Sequence, residues 1–281
     1  MGVGLIGGSI GLACRARDVA CRVVGIGRDR DRLEEAVRLG AIDEWSTDFD
    51  SGVSKADIVV ICTPVDRISD DAIRAATASP AGALITDAGS TKGAIVAAVG
   101  ADEGALAKFV GAHPIAGSER QGVAHARGDL FAGRVCILTP TDQTPLVRLD
   151  LARRFWSGLG CRLIEVDPAL HDHQLAITSH LPHAVAAALA SIVGPNLVPM
   201  AAGAYRDGTR VAAADAALWS AIFLENRRAV LDALDAFSSS IGTFRDALDS
   251  NDAGRIVEWW EAARRNRLAF EAGVASGASG G

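Results

Sequence analysis

Short β-branched runs alternate with helical stretches through the first half of the chain. Residues 21–25 (CRVVG) read as a strand, and 30–39 as a helix that turns Glu34, Glu35 and Arg38 outward. Residues 56–62 (ADIVVIC) are apolar almost end to end, as a parallel strand buried on both faces must be. Further strands are predicted at 83–87, 108–111 and 134–138, then a helix over about 145–159 and a last strand near 162–166. Such alternation predicts a parallel sheet wound by right-handed crossovers. After Asp167-Pro168 the period is helical to about residue 272, with alanine-rich runs at 184–190 and 212–217 and no strand. We expect an α/β domain with a doubly wound parallel sheet in residues 1–166, followed by an all-α helical domain in 167–281. The last residues from about 273 (GVASGASGG) are small and polar enough to form a disordered tail.

Gly2-Val3-Gly4-Leu5-Ile6-Gly7 is a GxGxxG run followed by a helical pattern from about Ile10, which makes the expected sheet Rossmann-like. The first glycine permits a tight turn and the second lets backbone approach a pyrophosphate. The third allows close helix–strand packing, and the anion then sits on the helix N-terminus. The run should follow a strand, yet Met1 directly precedes Gly2; we expect a truncated start, with the first strand upstream. At the end of the second strand an acidic residue would bind the ribose hydroxyls of NAD. Gly27 stands there instead, with Arg28 beside it, which could pair with a 2′-phosphate, so NAD or NADP is expected rather than NAD strictly; a solvated turn arginine is the competing reading of Arg28.

Composition narrows the field. The 281 residues are 49% hydrophobic and 22% charged, which excludes a disordered chain. A net charge of −6, with no basic run longer than Arg-Arg pairs, argues against nucleic acid as a partner while leaving a small anion possible. Five scattered cysteines without a CxxC pair suit a reducing cytoplasm. The longest uninterrupted apolar stretches, such as 184–193, are too short to span a bilayer, so no membrane is expected.

Three polar segments lie where structure alone does not ask for them. Asp87–Gly93 (DAGSTKG) follows a strand and would set Ser90 at the ligand crevice; helix capping is the competing reading of Asp87 and Ser90. His113 ends another strand in GAHPIAGSE (111–119), where a neutral imidazole can accept a substrate proton; a hydrogen-bonded core histidine is the alternative. In HDHQLAITSHLPH (171–183), a regular helix would align residues 173, 176, 180 and 183 on one face. The spacing matches no zinc motif, so these histidines are expected to line a pocket or to be satisfied in the core, without metal. Arg210, in YRDGTR (205–210), could grip a carboxylate or pair with Asp207 or Asp215 on the surface.

Together with GVGLIGGSIGLA (2–13), CTPV (62–65) and the LW…IFLEN run ending at 226, these segments resemble the prephenate/arogenate dehydrogenase family of tyrosine biosynthesis, in order from residue 2 to about 250. The resemblance implies oxidative decarboxylation of prephenate or arogenate with hydride transfer to NAD or NADP, in a cytoplasmic homodimer joined through the helical domain. It implies that His113 is the catalytic histidine with Ser90 its partner at the ring hydroxyl, and that Ser118, Glu119, His183 and Arg210 shape the substrate pocket. Gly2, Gly4, Leu5, Ile6, Gly7, Arg28, Thr63 and Pro64 would hold the cofactor, and no metal is implied.

Two rivals stand beside this reading. One is another two-domain dehydrogenase of a small hydroxy acid; such enzymes rely on a helical lysine base, and no lysine follows Asp167. The other is a dinucleotide-binding protein without chemistry.

Overall fold

The structure, a computed structural model, describes residues 1–117 and 120–278, except for the side chains of Pro195 and of 273–278. Two compact units divide it, the first ending at Arg227 and the second beginning at Arg228.

In the first unit the elements run α1 (Leu5–Ala16), β1 (Val24–Ile26), α2 (Arg30–Arg38), β2 (Glu44–Ser46), α3 (Phe49–Val53), β3 (Ile58–Ile61), α4 (Ile68–Ala78) and β4 (Leu84–Asp87). They continue with α5 (Gly93–Gly100), α6 (Glu103–Leu106), β5 (Phe109–Pro114), β6 (Val135–Thr139), α7 (Leu146–Gly158) and β7 (Arg162–Glu165). β1 pairs in parallel with β2, and a second sheet runs β3-β4-β5-β6-β7. Between β1 and β3 stand Met1 and Gly2. The amino terminus donates to the Val60 carbonyl at 2.6 Å, Cys62 N–H donates to Met1 O at 2.8 Å, and Gly2 N–H donates to Ile26 O at 2.9 Å. The resulting succession, β2, β1, residues 1–2, β3, β4, β5, reverses direction at residues 1–2. In open α/β sheets the ligand crevice lies at that reversal, outside the carboxyl ends of the strands.

One step departs from the parallel expectation: β5 and β6 are antiparallel, with His113 opposite Ile137. The segment joining them holds only a 3-10 turn at Val123–His125 among its described residues, and a parallel return would need a full crossover. β2 and α3 carry too few residues to show a period and were not foreseen.

Both faces of the sheet are covered. Ile10 and Ala13 of α1 and Leu149, Ala152 and Trp156 of α7 pack on Leu84, Ala112 and Leu138. Ile68 and Ala72 of α4 and Ile95 and Val99 of α5 pack on Ile61 and Ile85. Trp156, fully buried, meets Phe131 and Phe155 edge-on and donates its indole N–H to Thr86 Oγ1 at 3.3 Å.

The rest of this unit is helical: α8 (Pro168–Leu175), α9 (Leu181–Ile192), α10 (Gly203–Thr209) and α11 (Ala216–Glu225). Asp167 caps α8 through the Ala169 and Leu170 N–H groups, and Pro168 occupies its first position. A π-helical turn, Ala176–His180, joins α8 to α9. The helix Pro168–Ile192 therefore runs unbroken for 25 residues, long and apolar enough by length and composition alone to cross a membrane, where uninterrupted apolar runs suggested nothing of that length. Its inward face nevertheless carries buried His171, Asp172 and His180.

The second unit holds most of α12 (Arg227–Asp249) and α13 (Ala253–Ala278), a helical pair turned at Asn251, whose φ of +54° asparagine tolerates better than most residues. Phe244 stacks on Trp259 at 4.8 Å, and the Trp259 indole N–H donates to Ser240 Oγ at 3.1 Å. α13 continues to Ala278, past residue 273, from which composition predicted a disordered tail.

Candidate active site

Backbone geometry at the start of the chain builds an anion cradle. Gly2 holds φ +78°, and a Cβ there would lie 2.7 Å from the Cys62 carbonyl oxygen; at Gly7 it would meet Gly2 O at 2.2 Å. Gly4 is different. Open space surrounds the position its Cβ would take, and it begins α1 without a capping side chain. The first N–H groups of α1 thus face a clear approach, as a dinucleotide pyrophosphate needs. Leu5 and Ile6 form that first turn. Thr63 donates its hydroxyl to Asp71 at 2.7 Å, and exposed Pro64 leads into the 3-10 turn Val65–Arg67.

Arg28 is exposed just beyond β1. The nearby acid, Asp29, is already engaged: it caps α2 through Arg32 N–H and pairs with the Arg32 guanidinium at 3.2 Å. Position 27, where a ribose-binding acid would stand, is glycine.

A polar chain runs inward from β4. Asp87, fully buried at the carboxyl end of that strand, accepts N–H bonds from Gly89 at 2.8 Å and Ala112 at 3.0 Å and pairs with the equally buried Lys92 ammonium. Ala112 N–H is thereby fixed, and with it the next residue, His113. Ring Nδ1 of His113 lies 2.9 Å from Nε2 of His171, and Nδ1 of His171 lies 2.8 Å from Oδ1 of Asp172. Asp172 accepts Lys92 N–H and Gly93 N–H, each at 2.8 Å, which joins α8 to the start of α5.

Burial, seconded by His171, Lys92 and His180, holds His113 well below the ordinary histidine value, so its ring is neutral at working pH. Burial likewise brings His180 down to about 4. The Asn226 amide donates to Asp172 O at 2.8 Å and sits 3.1 Å from His180 Nδ1. Trp219 of α11 stacks on His183 at 3.6 Å and meets His180 edge-on. Burial lowers His183 too, with exposed Arg210 adding to the effect against the Ser179 carbonyl.

Of the residues expected from sequence, His113, His183 and Arg210 gather around α8, the π turn and α9. Ser90 lies half-buried in the loop leaving β4. Ser118 and Glu119 lie outside the described residues. The aligned face of 173, 176, 180 and 183 needs correction. The π turn inserts a residue into the helical phase, so His173 is exposed while His171, Asp172, Ala176 and His180 turn inward. His171, Asp172, Lys92, Trp219 and Asn226 were not foreseen as site residues. Among the described residues, no three His, Cys, Asp or Glu side chains are grouped to hold a metal ion.

The profile of the prephenate dehydrogenase nucleotide-binding domain matches residues 10–165, and that of the prephenate dehydrogenase dimerization domain matches 167–262. The chain belongs to the prephenate dehydrogenase family. Within that family it is 34% identical to the prephenate dehydrogenase of Bacillus subtilis over 95% of this chain and 74% of that one. It is 34% identical to the cyclohexadienyl dehydrogenase of Zymomonas mobilis over 96% and 94% of the two chains. The crystal structure of a family member, prephenate dehydrogenase from A. aeolicus in complex with hydroxyphenyl propionate and NAD+, superposes with a TM-score of 0.89 at 32% identity over 96% of each chain. The family junction falls between β7 and α8, so His113 belongs to the nucleotide-binding part and His171 and Asp172 to the dimerization part.

Proposed function

We propose that this protein oxidatively decarboxylates prephenate, or its amino counterpart arogenate, with NAD(P)+ as hydride acceptor, working as a cytoplasmic homodimer associated through residues 167–281. The observation that carries the reading is His113: a neutral imidazole at the end of β5 with Nδ1 occupied by His171, so that Nε2 is the nitrogen that would face a substrate. Membership of the family supports the reaction, the dimerization-domain match supports the homodimer, and five unpaired cysteines fit a reducing compartment.

The cradle fits a dinucleotide. Gly2, Gly4, Leu5, Ile6 and Gly7 would hold the pyrophosphate on α1, Thr63 and Pro64 would border it, and Arg28 would meet a ribose 2′-phosphate. When bound, NAD(P)+ supplies the hydride acceptor for the ring carbon that bears the hydroxyl. His113 Nε2 takes the proton of that hydroxyl, which makes the carbon a better hydride donor. The carboxylate on the opposite ring carbon then leaves as carbon dioxide, and its electron pair aromatises the ring. The proton on Nε2 returns to the oxygen, leaving a phenol. Atoms balance: one hydride leaves with the cofactor, one carbon dioxide is released, and no net proton is consumed. Ser90 would hold the hydroxyl beside His113. Arg210 would orient the substrate's anionic groups in the ground state, and His183, Ser118 and Glu119 would shape and gate the pocket. Too firm a grip on the departing carboxylate would oppose its loss, so removal of hydride has to drive decarboxylation.

A cofactor-reduction absorbance assay with prephenate, arogenate and 3-hydroxy acids offered in turn tests this. Reduction with one of the first two is expected. His113→Asn should still bind cofactor while kcat falls about 10²–10⁴-fold. Near-normal turnover of that variant removes His113 from the chemistry, and reduction only with a 3-hydroxy acid replaces the reading.

A further inference from the structure

Behind His113 stand a second ring and a carboxylate, in line and buried. Asp172 is held as an acceptor. Burial alone would raise its pKa, but the bonds from His171 and from the Lys92 and Gly93 N–H groups outweigh it and keep the carboxyl below the usual range. An ionised carboxylate has no proton to give, so the nitrogen facing it, His171 Nδ1, must carry one. In a neutral imidazole the other nitrogen is then a lone pair. That nitrogen lies 2.9 Å from His113 Nδ1, and two lone pairs do not approach so closely without a proton between them.

We infer that Asp172, acting through His171, fixes the proton of His113 on Nδ1 and so keeps the Nε2 lone pair turned to the substrate. Resting on the reading of His113 as the base, this makes His171 and Asp172 positioning residues. The preference opposes that of a free histidine side chain, which favours the proton on Nε2; a His113 ring in that form would offer the hydroxyl a donor where the reaction needs an acceptor. The other charged or titratable groups near the ring do not compete for Nδ1. Lys92 is taken up by Asp87, which also binds the Ala112 N–H, and Nδ1 of His180 faces the Asn226 amide. The device also joins the two halves of the site, because the base is on β5 and its orienting groups are on α8.

The test reads the proton directly. Six histidines make nitrogen-15 spectra of the intact, histidine-labelled protein tractable, with the His113→Asn spectrum identifying the His113 signals. In the wild type, without substrate, His113 should carry its proton on Nδ1. His171→Asn keeps an amide near Asp172 but cannot reach His113. The His113 proton should shift to Nε2 and kcat should fall about 10²-fold, with KM within about twofold. His171→Gln puts a carbonyl oxygen where Nε2 stood and should restore the Nδ1 proton and bring kcat to within about tenfold of wild type. A His171 that merely fills space would make Gln and Asn equally harmful and leave the His113 proton in place, which overturns the inference. So does a wild-type spectrum with the His113 proton on Nε2, or with both nitrogens of His171 protonated. That spectrum needs no variant to fold and no substrate, so it decides even if the protein oxidises some other hydroxyl compound.

Discussion

Arg28 and Asp29 are neighbours of opposite charge, and their surroundings decide which one meets the cofactor. Asp29 spends both carboxylate oxygens on α2, one on Arg32 N–H and one on its guanidinium, and so is withdrawn from the ribose. Arg28 is exposed beyond β1 and, among the described residues, enters no ion pair. A 2′-phosphate would gain a charge-assisted bond there, a contact of about 1.5–3 kcal/mol, whereas a plain ribose finds no acid at Gly27. The wild type should therefore favour NADP+ over NAD+ in kcat/KM. Arg28→Ala should lower kcat/KM for NADP+ about 10- to 100-fold and leave that for NAD+ within about twofold. An unchanged ratio of the two would take Arg28 out of the cofactor site.

At the scale of elements, the turn into α1 separates two uses of glycine that the motif lumps together. At Gly7 an added methyl would lie 2.2 Å from backbone, whereas at Gly4 it would meet nothing. Gly7→Ala should lower unfolding stability by about 1–3 kcal/mol or more, since the strand-to-helix turn must open. Gly4→Ala should unfold within about 0.5 kcal/mol of wild type yet bind NAD(P)+ at least about tenfold more weakly. Denaturant titration and cofactor titration read the two effects separately; equal stability of both variants would refute the assignment. That turn was legible because each glycine does its work within a few residues. The run over 56–62 was legible too, since a strand buried on both faces has no polar phase to blur it. β2 is three residues long and only partly buried, so no pattern could declare it. The helix through 171–183 misled for a physical reason: a 3.6-residue period cannot anticipate a π turn, and the phase error put His173 inward in place of His171. The contact from His113 to His171 spans 58 positions, and no spacing rule reaches so far.

Taken as a whole, the molecule buries His113 and His180 uncharged, and that choice sets its response to acid. His180 titrates near 6.5 in an unfolded chain and at about 4 in the fold, chiefly because burial disfavours the charged ring. Between those values the unfolded state binds the extra proton, so stability rises with pH there and is lost as pH falls from 6.5 toward 4. The loss from this one ring is about 3 kcal/mol, and His113, lowered well below 6.5 by the same cause, works with the same sign. Asp172 comes later. Its carboxyl lies below 3.8 in the fold, so its share is lost only at still lower pH. Urea unfolding of the wild type at pH 7, 5.5 and 4.5 should show stability falling across the series. His180→Gln, which cannot titrate there, should start lower at pH 7 because a buried contact with Asn226 is altered, yet fall less steeply. Parallel slopes for the two proteins would mean that His180 is charged inside the fold, and the neutral network joining α8, the π turn and α11 would have to be redrawn.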